Sequence, residues 1–271
     1  MQELAKRLIV SFLFIPILIL AIYHGGLPLY LMFLFVSFVG SVEYNKMMEN
    51  AGIKISTLWL VLNPILFSLF SLYHIDGALI VLIVIINLVI ALFSWDEDKS
   101  LPGVFSSIYG TLYVAFFPAL LYKLDKFYNT KNILLALIIM VWIVDSAAYF
   151  IGMRFGKRRN ITAVSPRKSL EGFIAGFVAS LLVAALLFLN GYVKFSLLES
   201  ILLCLAAGVF GQLGDLSESM IKRFCKVKDS SSLIPGHGGI LDRTDSILLS
   251  GSFLYAALMI AGIFCNTTII Q

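Results

Sequence analysis

Charge is what these 271 residues have least of: 13% are Asp, Glu, Lys or Arg, where a soluble domain carries about a quarter. Apolar residues make up 60% of the chain and its mean hydropathy is +0.96, which together exclude an ordinary water-soluble domain. At roughly 20 apolar residues per membrane span, about nine or ten helices fill the sequence and leave no room for a sizeable extramembrane domain. Cysteine is scarce as well. Cys204, Cys225 and Cys265 show no CxxC spacing and two sit in apolar runs, so neither a disulfide framework nor a zinc site is expected. Lys6 and Arg7 precede an apolar run, but no A-x-A cleavage signal follows it, and the run reads as a retained first span rather than a removed leader. There is no internal repeat and no low-complexity segment.

What is present is a series of apolar runs bounded by charges, at about 8–24, 27–45, 56–73, 76–95, 104–122, 132–153, 170–190, 196–222 and 246–265. The expected fold is therefore all-α, a polytopic integral membrane protein of about nine transmembrane helices. Pro16, Pro64 and Pro118 fall inside three runs, where neighbouring helices tolerate the kink. With the N-terminus cytoplasmic, sixteen of the 20 basic residues lie on the cytoplasmic side, leaving Lys123, Lys126, Lys131 and Lys194 outside. That asymmetry requires an odd number of spans and favours nine.

Polarity divides the chain. Residues 1–130 read as N-terminal transmembrane helices that serve as scaffold and lipid-facing surface, and 131–271 as the C-terminal transmembrane catalytic domain. The eighth run carries the most information. Only about its first fifteen residues are apolar, and the rest runs from Gly211 to Arg223 through Asp215, Glu218 and Lys222, so this helix begins in lipid and ends in water or a polar cavity.

A charged side chain near mid-membrane costs on the order of 2.5–3.5 kcal/mol, so each carboxylate in or beside a span needs a reason. Asp145 lies toward the cytoplasmic end of the sixth run, Asp215 toward that of the eighth, and Asp242 and Asp245 just before the ninth. In the expected orientation all four share one depth. Clustered carboxylates suit a hard divalent cation such as Mg²⁺, which commonly bridges one or two of them to substrate phosphates. A bland alternative for Asp215 is pairing with Lys222 or Arg223.

Basic and small residues accompany these acids. Lys157, Arg158 and Arg159 read most simply as a headgroup and topology signal. Ser165-Pro166-Arg167-Lys168-Ser169-Leu170-Glu171-Gly172 joins hydroxyls, cations and a helix start, which is the equipment for holding phosphates. From Ser219 the chain runs x-x-Lys222-Arg223, four residues, Lys228-Asp229, Ser231, and then Pro235-Gly236-His237-Gly238-Gly239-Ile240-Leu241-Asp242-Arg243-Thr244-Asp245. Its glycines let backbone amides approach an anion, and Asp and Arg follow at once. The arrangement suits a nucleotide's phosphates.

This stretch resembles the phosphatidate cytidylyltransferases, also called CDP-diacylglycerol synthases. Their pattern S-x-x-K-R, four residues, K-D, then P-x-H-G-G-x-x-D-R-x-D is matched at every specified position over the 27 residues from Ser219 to Asp245. Their D-x-x-A-Y, S-P-K-K-T-x-E-G and G-D-L-x-E-S segments have counterparts at Asp145 to Tyr149, Ser165 to Gly172 and Gly214 to Ser219, with Arg167 in place of a lysine and Ser169 in place of a threonine. The resemblance implies that CTP and phosphatidic acid react to give CDP-diacylglycerol and pyrophosphate, with Mg²⁺, at the cytoplasmic face of the cell (inner) membrane. It assigns catalysis to Asp215, Asp242, Lys222 and Arg243. Substrate binding falls to Ser165, Arg167, Lys168, Ser219, Arg223, Lys228, His237, Gly238 and Gly239, with His237 as a binding residue rather than a base. Asp215 and Asp242 are expected as direct metal ligands, with Asp145 and Asp245 either completing the site or orienting the ligands from behind.

Two other readings compete: a CTP-dependent membrane lipid kinase, distinguished by release of CDP, and a cation transporter, which explains the acids but not the basic and glycine-rich motifs beside them. CTP, phosphatidic acid and membrane lipid are the expected partners, with no nucleic acid. Gly172-x-x-x-Gly176 and Gly208 to Gly214 permit close helix packing within one chain or in a homodimer.

Overall fold

In lipid a chain must satisfy its backbone groups internally, and long apolar runs do this by forming helices. A computed structural model describes residues 15–53, 55, 58–128, 132–189, 195–234, 236 and 238–264. It contains α1 (Ile15–His24), α2 (Gly26–Asn50), α3 (Leu58–Leu72), α4 (Asp76–Phe93), α5 (Ser100–Tyr128), α6 (Ile133–Phe155), α7 (Leu170–Leu189), α8 (Leu197–Phe224) and α9 (Leu241–Phe264). Among the described residues no strand forms, and all but α1 and α3 are long and apolar enough to cross a membrane. The all-α, polytopic expectation holds, with seven long candidate spans and two shorter apolar helices.

The ends of the helices follow local chemistry. Ser196 caps α8: its Oγ accepts from the Glu199 amide at 3.2 Å, while its own amide donates to Glu199 Oε2 at 2.7 Å. At the start of α7, Ser169 Oγ accepts from the Gly172 amide at 3.2 Å, and Glu171 reaches back to the amides of Lys157 and Arg158. Two helices contain a widened π turn. In α5 it spans Leu112–Phe116, just before Pro118, which has no N–H to continue the ladder. In α8 it spans Ala206–Gly211 and separates the apolar start from the polar Gln212–Phe224 end.

Several helix ends differ from the sequence expectation by up to six residues, and those of α5 and α9 show what such shifts do. α5 continues past residue 122 to Tyr128, so that Lys123 and Asp125, assigned to an outside connection or its edge, are 1% and 3% exposed. α9 begins at Leu241 instead of 246, which places Asp242 and Asp245 in its first turns, three residues apart and on one face.

Contacts group the chain into two compact units that do not coincide with a division at residue 130. One unit holds residues 1–122 and 221–243, the other 123–220 and 244–271. In the first, polar contacts tie apolar helices together: Tyr30 Oη donates to Ser68 Oγ at 2.7 Å, Tyr44 Oη to the Ser106 carbonyl at 2.8 Å, and Thr111 Oγ1 to Asn63 Oδ1 at 3.1 Å. α4 turns Val81, Leu82, Ile85, Ile86 and Val89 outward, as a lipid-facing helix does.

In the second unit α6, α7 and α8 pack through small residues. Gln212 Nε2 donates to the Phe173 carbonyl at 3.1 Å, and Phe210 stacks on Phe253 of α9 with ring centroids 3.7 Å apart. A Cβ on Gly214 would lie 2.5 Å from the Asp245 carbonyl oxygen and 2.9 Å from Ser246 Cα. Only glycine lets the backbones of α8 and α9 meet there.

Candidate active site

The motif between α8 and α9 folds around two carboxylates of the first unit. Asp242, in the first turn of α9, receives Lys222 Nζ on Oδ1 at 2.6 Å. Its Oδ2 accepts from the Ser230 amide, the Ser230 hydroxyl and the Gly239 amide, each at 2.8 Å. The pair is buried, with the two side chains only 12% and 6% exposed. Removal of one partner would strand the other charge.

The second carboxylate is Glu43 of α2, 2% exposed. Its Oε1 accepts from Ser231 Oγ at 2.6 Å and the Ile240 amide at 2.9 Å; its Oε2 accepts from the Leu241 amide at 2.9 Å and Ser230 Oγ at 3.1 Å. Ser230 has one hydroxyl hydrogen and shares it between Glu43 and Asp242. The first amides of α9, a natural anion site, are thus occupied by the protein's own acid.

This arrangement explains the glycines differently from the sequence reading. Gly238 has φ +85, and a Cβ on it would lie 2.5 Å from Asp242 Oδ2. A Cβ on Gly239 would collide with Ser230 Oγ and Glu43 Oε1. The Gly239 amide, expected to face substrate, points to Asp242 instead. Val36, Ile234 and Ile240 form an apolar base beside the loop. Arg223, Lys228 and Arg243 are exposed, while His237 and Pro235 lie outside the described residues.

The second unit holds the other cluster. Lys168 Nζ meets Asp215 Oδ2 at 2.7 Å, with side chains 29% and 40% exposed, and Ser219 Oγ donates to Asp215 Oδ1 at 3.4 Å. Asp145, exposed on α6, lies within electrostatic reach of both Asp215 and Lys168. A turn in which the Lys168 amide donates to the Ser165 carbonyl at 3.1 Å positions the lysine; Arg167 stays exposed on the same loop. Asp245 is buried, and its Oδ1 accepts from the Ser246 amide at 2.7 Å.

Asp215 and Asp242 were expected to hold Mg²⁺ directly, with Asp145 and Asp245 beside them. Among the described residues no three His, Cys, Asp or Glu side chains are gathered to hold a metal ion. Asp242 fits poorly as a ligand, because its side chain is only 6% exposed and its two oxygens already accept four hydrogen bonds, one from a lysine. Asp215 also carries a lysine and a serine on its oxygens, but its side chain is 40% exposed and Asp145 is exposed, so these two are more open to a cation: Mg²⁺ takes one or two protein carboxylates and completes its shell with phosphate and water.

Sequence reasoning missed Glu43. The signal was present, since a carboxylate near the end of the apolar run 27–45 carries the same insertion cost that singled out Asp145.

Fold and site together define a polytopic α-helical membrane protein whose polar chemistry rests on Lys–Asp pairs at helix ends. The chain belongs to the cytidylyltransferase family, which it matches over residues 5–261. It is 32% identical to the phosphatidate cytidylyltransferase of Bacillus subtilis (strain 168), over 94% of this chain and 97% of the relative. Shorter matches include the phosphatidate cytidylyltransferases of Haemophilus influenzae, 44% identical over 46% of this chain and 45% of the relative, and of Staphylococcus aureus (strain COL), 43% over 45% and 48%.

Proposed function

We propose that the protein transfers the cytidylyl group of CTP to phosphatidic acid, releasing pyrophosphate and leaving CDP-diacylglycerol in the membrane. The observation that carries this reading is similarity along essentially the whole chain to a phosphatidate cytidylyltransferase. In the reaction an oxygen of the lipid phosphate bonds to the α-phosphorus. The bond from that phosphorus to the oxygen bridging it to the β-phosphorus breaks, and pyrophosphate leaves with the electron pair. A phosphate monoester is already anionic at pH 7 and needs no strong base, so catalysis reduces to positioning and charge neutralisation.

The chain's residues divide that work. Lys168 and Arg167, with Arg223, Lys228 and Arg243, neutralise phosphate oxygens, and Ser165 and Ser219 add hydroxyl donors. Lys222 and Asp242 act as a pair that shapes the glycine-rich loop, with Gly238 and Gly239 making room for it. Asp145 and Asp215 would hold Mg²⁺, which when bound offsets the negative charge of the phosphates. The working face is cytoplasmic, in the cell (inner) membrane, as the basic asymmetry suggests.

The test is pyrophosphate release by the purified protein in detergent. The reading requires release that depends on CTP, phosphatidic acid and Mg²⁺ together and that stops on chelation. CDP as the nucleotide product would instead indicate a lipid kinase.

A further inference from the structure

A carboxylate buried in an apolar helix survives only with strong compensation, and among the described residues Glu43 obtains it from one segment, the loop before α9 and the first amide of that helix. Its two oxygens accept from Ser230, Ser231, Ile240 and Leu241, residues 187 to 198 positions away in sequence. No lysine or arginine is among these four donors. The hydrogen bonds come from two serine hydroxyls and two amides at the start of α9, where the helix dipole favours negative charge. A ligand phosphate would be held in the same way.

The geometry has a consequence for the loop. Glu43 fixes its far end, at 240–241, while Asp242 fixes Ser230 and Gly239, and both carboxylates converge on the Ser230 hydroxyl. The loop is therefore clamped at two points before substrate arrives. Pre-organisation of this kind lowers the ordering cost of binding. We infer that Glu43, from the N-terminal half, is a positioning residue for the nucleotide: it orders the loop from 228 and the first turn of α9 so that the exposed cations Lys228 and Arg243 meet the phosphates of CTP. Glu43 does not touch substrate in this scheme. The inference rests on the proposed function, in which this loop handles CTP.

Two readouts test it. Glu43→Gln keeps the volume but replaces one of the two acceptor oxygens by an amide nitrogen, which leaves two of the four donors facing a donor. The expected result is a KM for CTP raised about tenfold with the KM for phosphatidic acid changed by less than about twofold. Amide hydrogen exchange at Ile240 and Leu241 should accelerate in the same variant, whether or not it turns over. A gentler pair covers the case in which Glu43→Gln does not fold: Ser231→Ala should raise the KM for CTP about threefold and speed exchange at Ile240, whereas Ser231→Thr keeps the hydroxyl and the wild-type values. Parallel changes in both KM values, or unchanged exchange at 240–241, would overturn the inference. Failure of the proposed function shows separately, as absence of CTP- and phosphatidate-dependent pyrophosphate release by the wild-type protein.

Discussion

At the scale of single residues, two Lys–Asp pairs of similar length behave as different kinds of interaction because their surroundings differ. Lys222–Asp242 is almost sealed from solvent, so Lys222→Ala leaves a buried carboxylate without its cation, and a loss of about 3–5 kcal/mol is expected. A clear drop in the thermal midpoint in detergent checks this, and Lys222→Ala with Asp242→Asn should recover part of it. Lys168–Asp215 is partly open to solvent and screened, so Lys168→Ala or Asp215→Asn should alter stability by less than about 1 kcal/mol. Both should nevertheless reduce pyrophosphate release to background, and wild-type turnover in Asp215→Asn would move the metal assignment away from this residue. The third residue-scale expectation concerns Cys225, whose thiol is fully buried and pushed up to about 11 by that burial. Its folded-state value lies above the ordinary 9.0, so the folded protein keeps the proton where an unfolded chain loses it. The stabilisation is full below pH 9 and is lost as pH rises toward 11. At pH 8 Cys225 should resist maleimide in the folded protein and react once the protein is unfolded.

At the scale of elements, the glycines of the polar helix ends serve helix approach as much as ligand access. Gly214 is next to Asp215 in sequence, yet its immediate constraint is the backbone of α9 at Asp245 and Ser246. Gly214→Ala pushes against backbone atoms that have no rotamer to escape into, and a cost of about 1–3 kcal/mol is expected. A matched change at the open helical position Gly103, where an added Cβ meets nothing within 4 Å, should leave the stability unchanged or raise it slightly. Thermal unfolding of the two variants in the same detergent compares them directly. The π turn of α8 fits the same picture, since Ala206–Gly211 combines small residues with a change from apolar to polar helix.

At the scale of the whole molecule, the described residues include seven helices long and apolar enough to cross a membrane and two shorter apolar ones. The distribution of basic residues predicts that the 154–169 and 223–245 segments face the cytoplasm. In a background without the native cysteines, Asp229→Cys should react with an impermeant maleimide in inverted vesicles and stay unlabelled in intact cells. The reverse pattern would invert the proposed orientation. The contact units also give the N-terminal half a part in the site, because residues 221–243 group with 1–122.

What the sequence determined by itself was everything that depends on composition and order along the chain. Long apolar runs dictate helices because lipid offers the backbone no partner, and the Ser219–Asp245 motif is specific because its residue types and spacing are written in one continuous stretch. The segments holding Asp145, Lys168 and Asp215 were legible for the same reason: a charge beside an apolar run stands out. Tertiary structure alone decided what those side chains touch. Glu43 and Ser230 are 187 residues apart, and no periodicity predicts that one accepts a hydrogen bond from the other. Nor does a motif reveal whether a carboxylate is open to a ligand, as Asp215 partly is, or filled by a lysine, a serine and a glycine amide, as Asp242 is. The cost of burying charge demands a partner, but folding of the chain selects which partner supplies it.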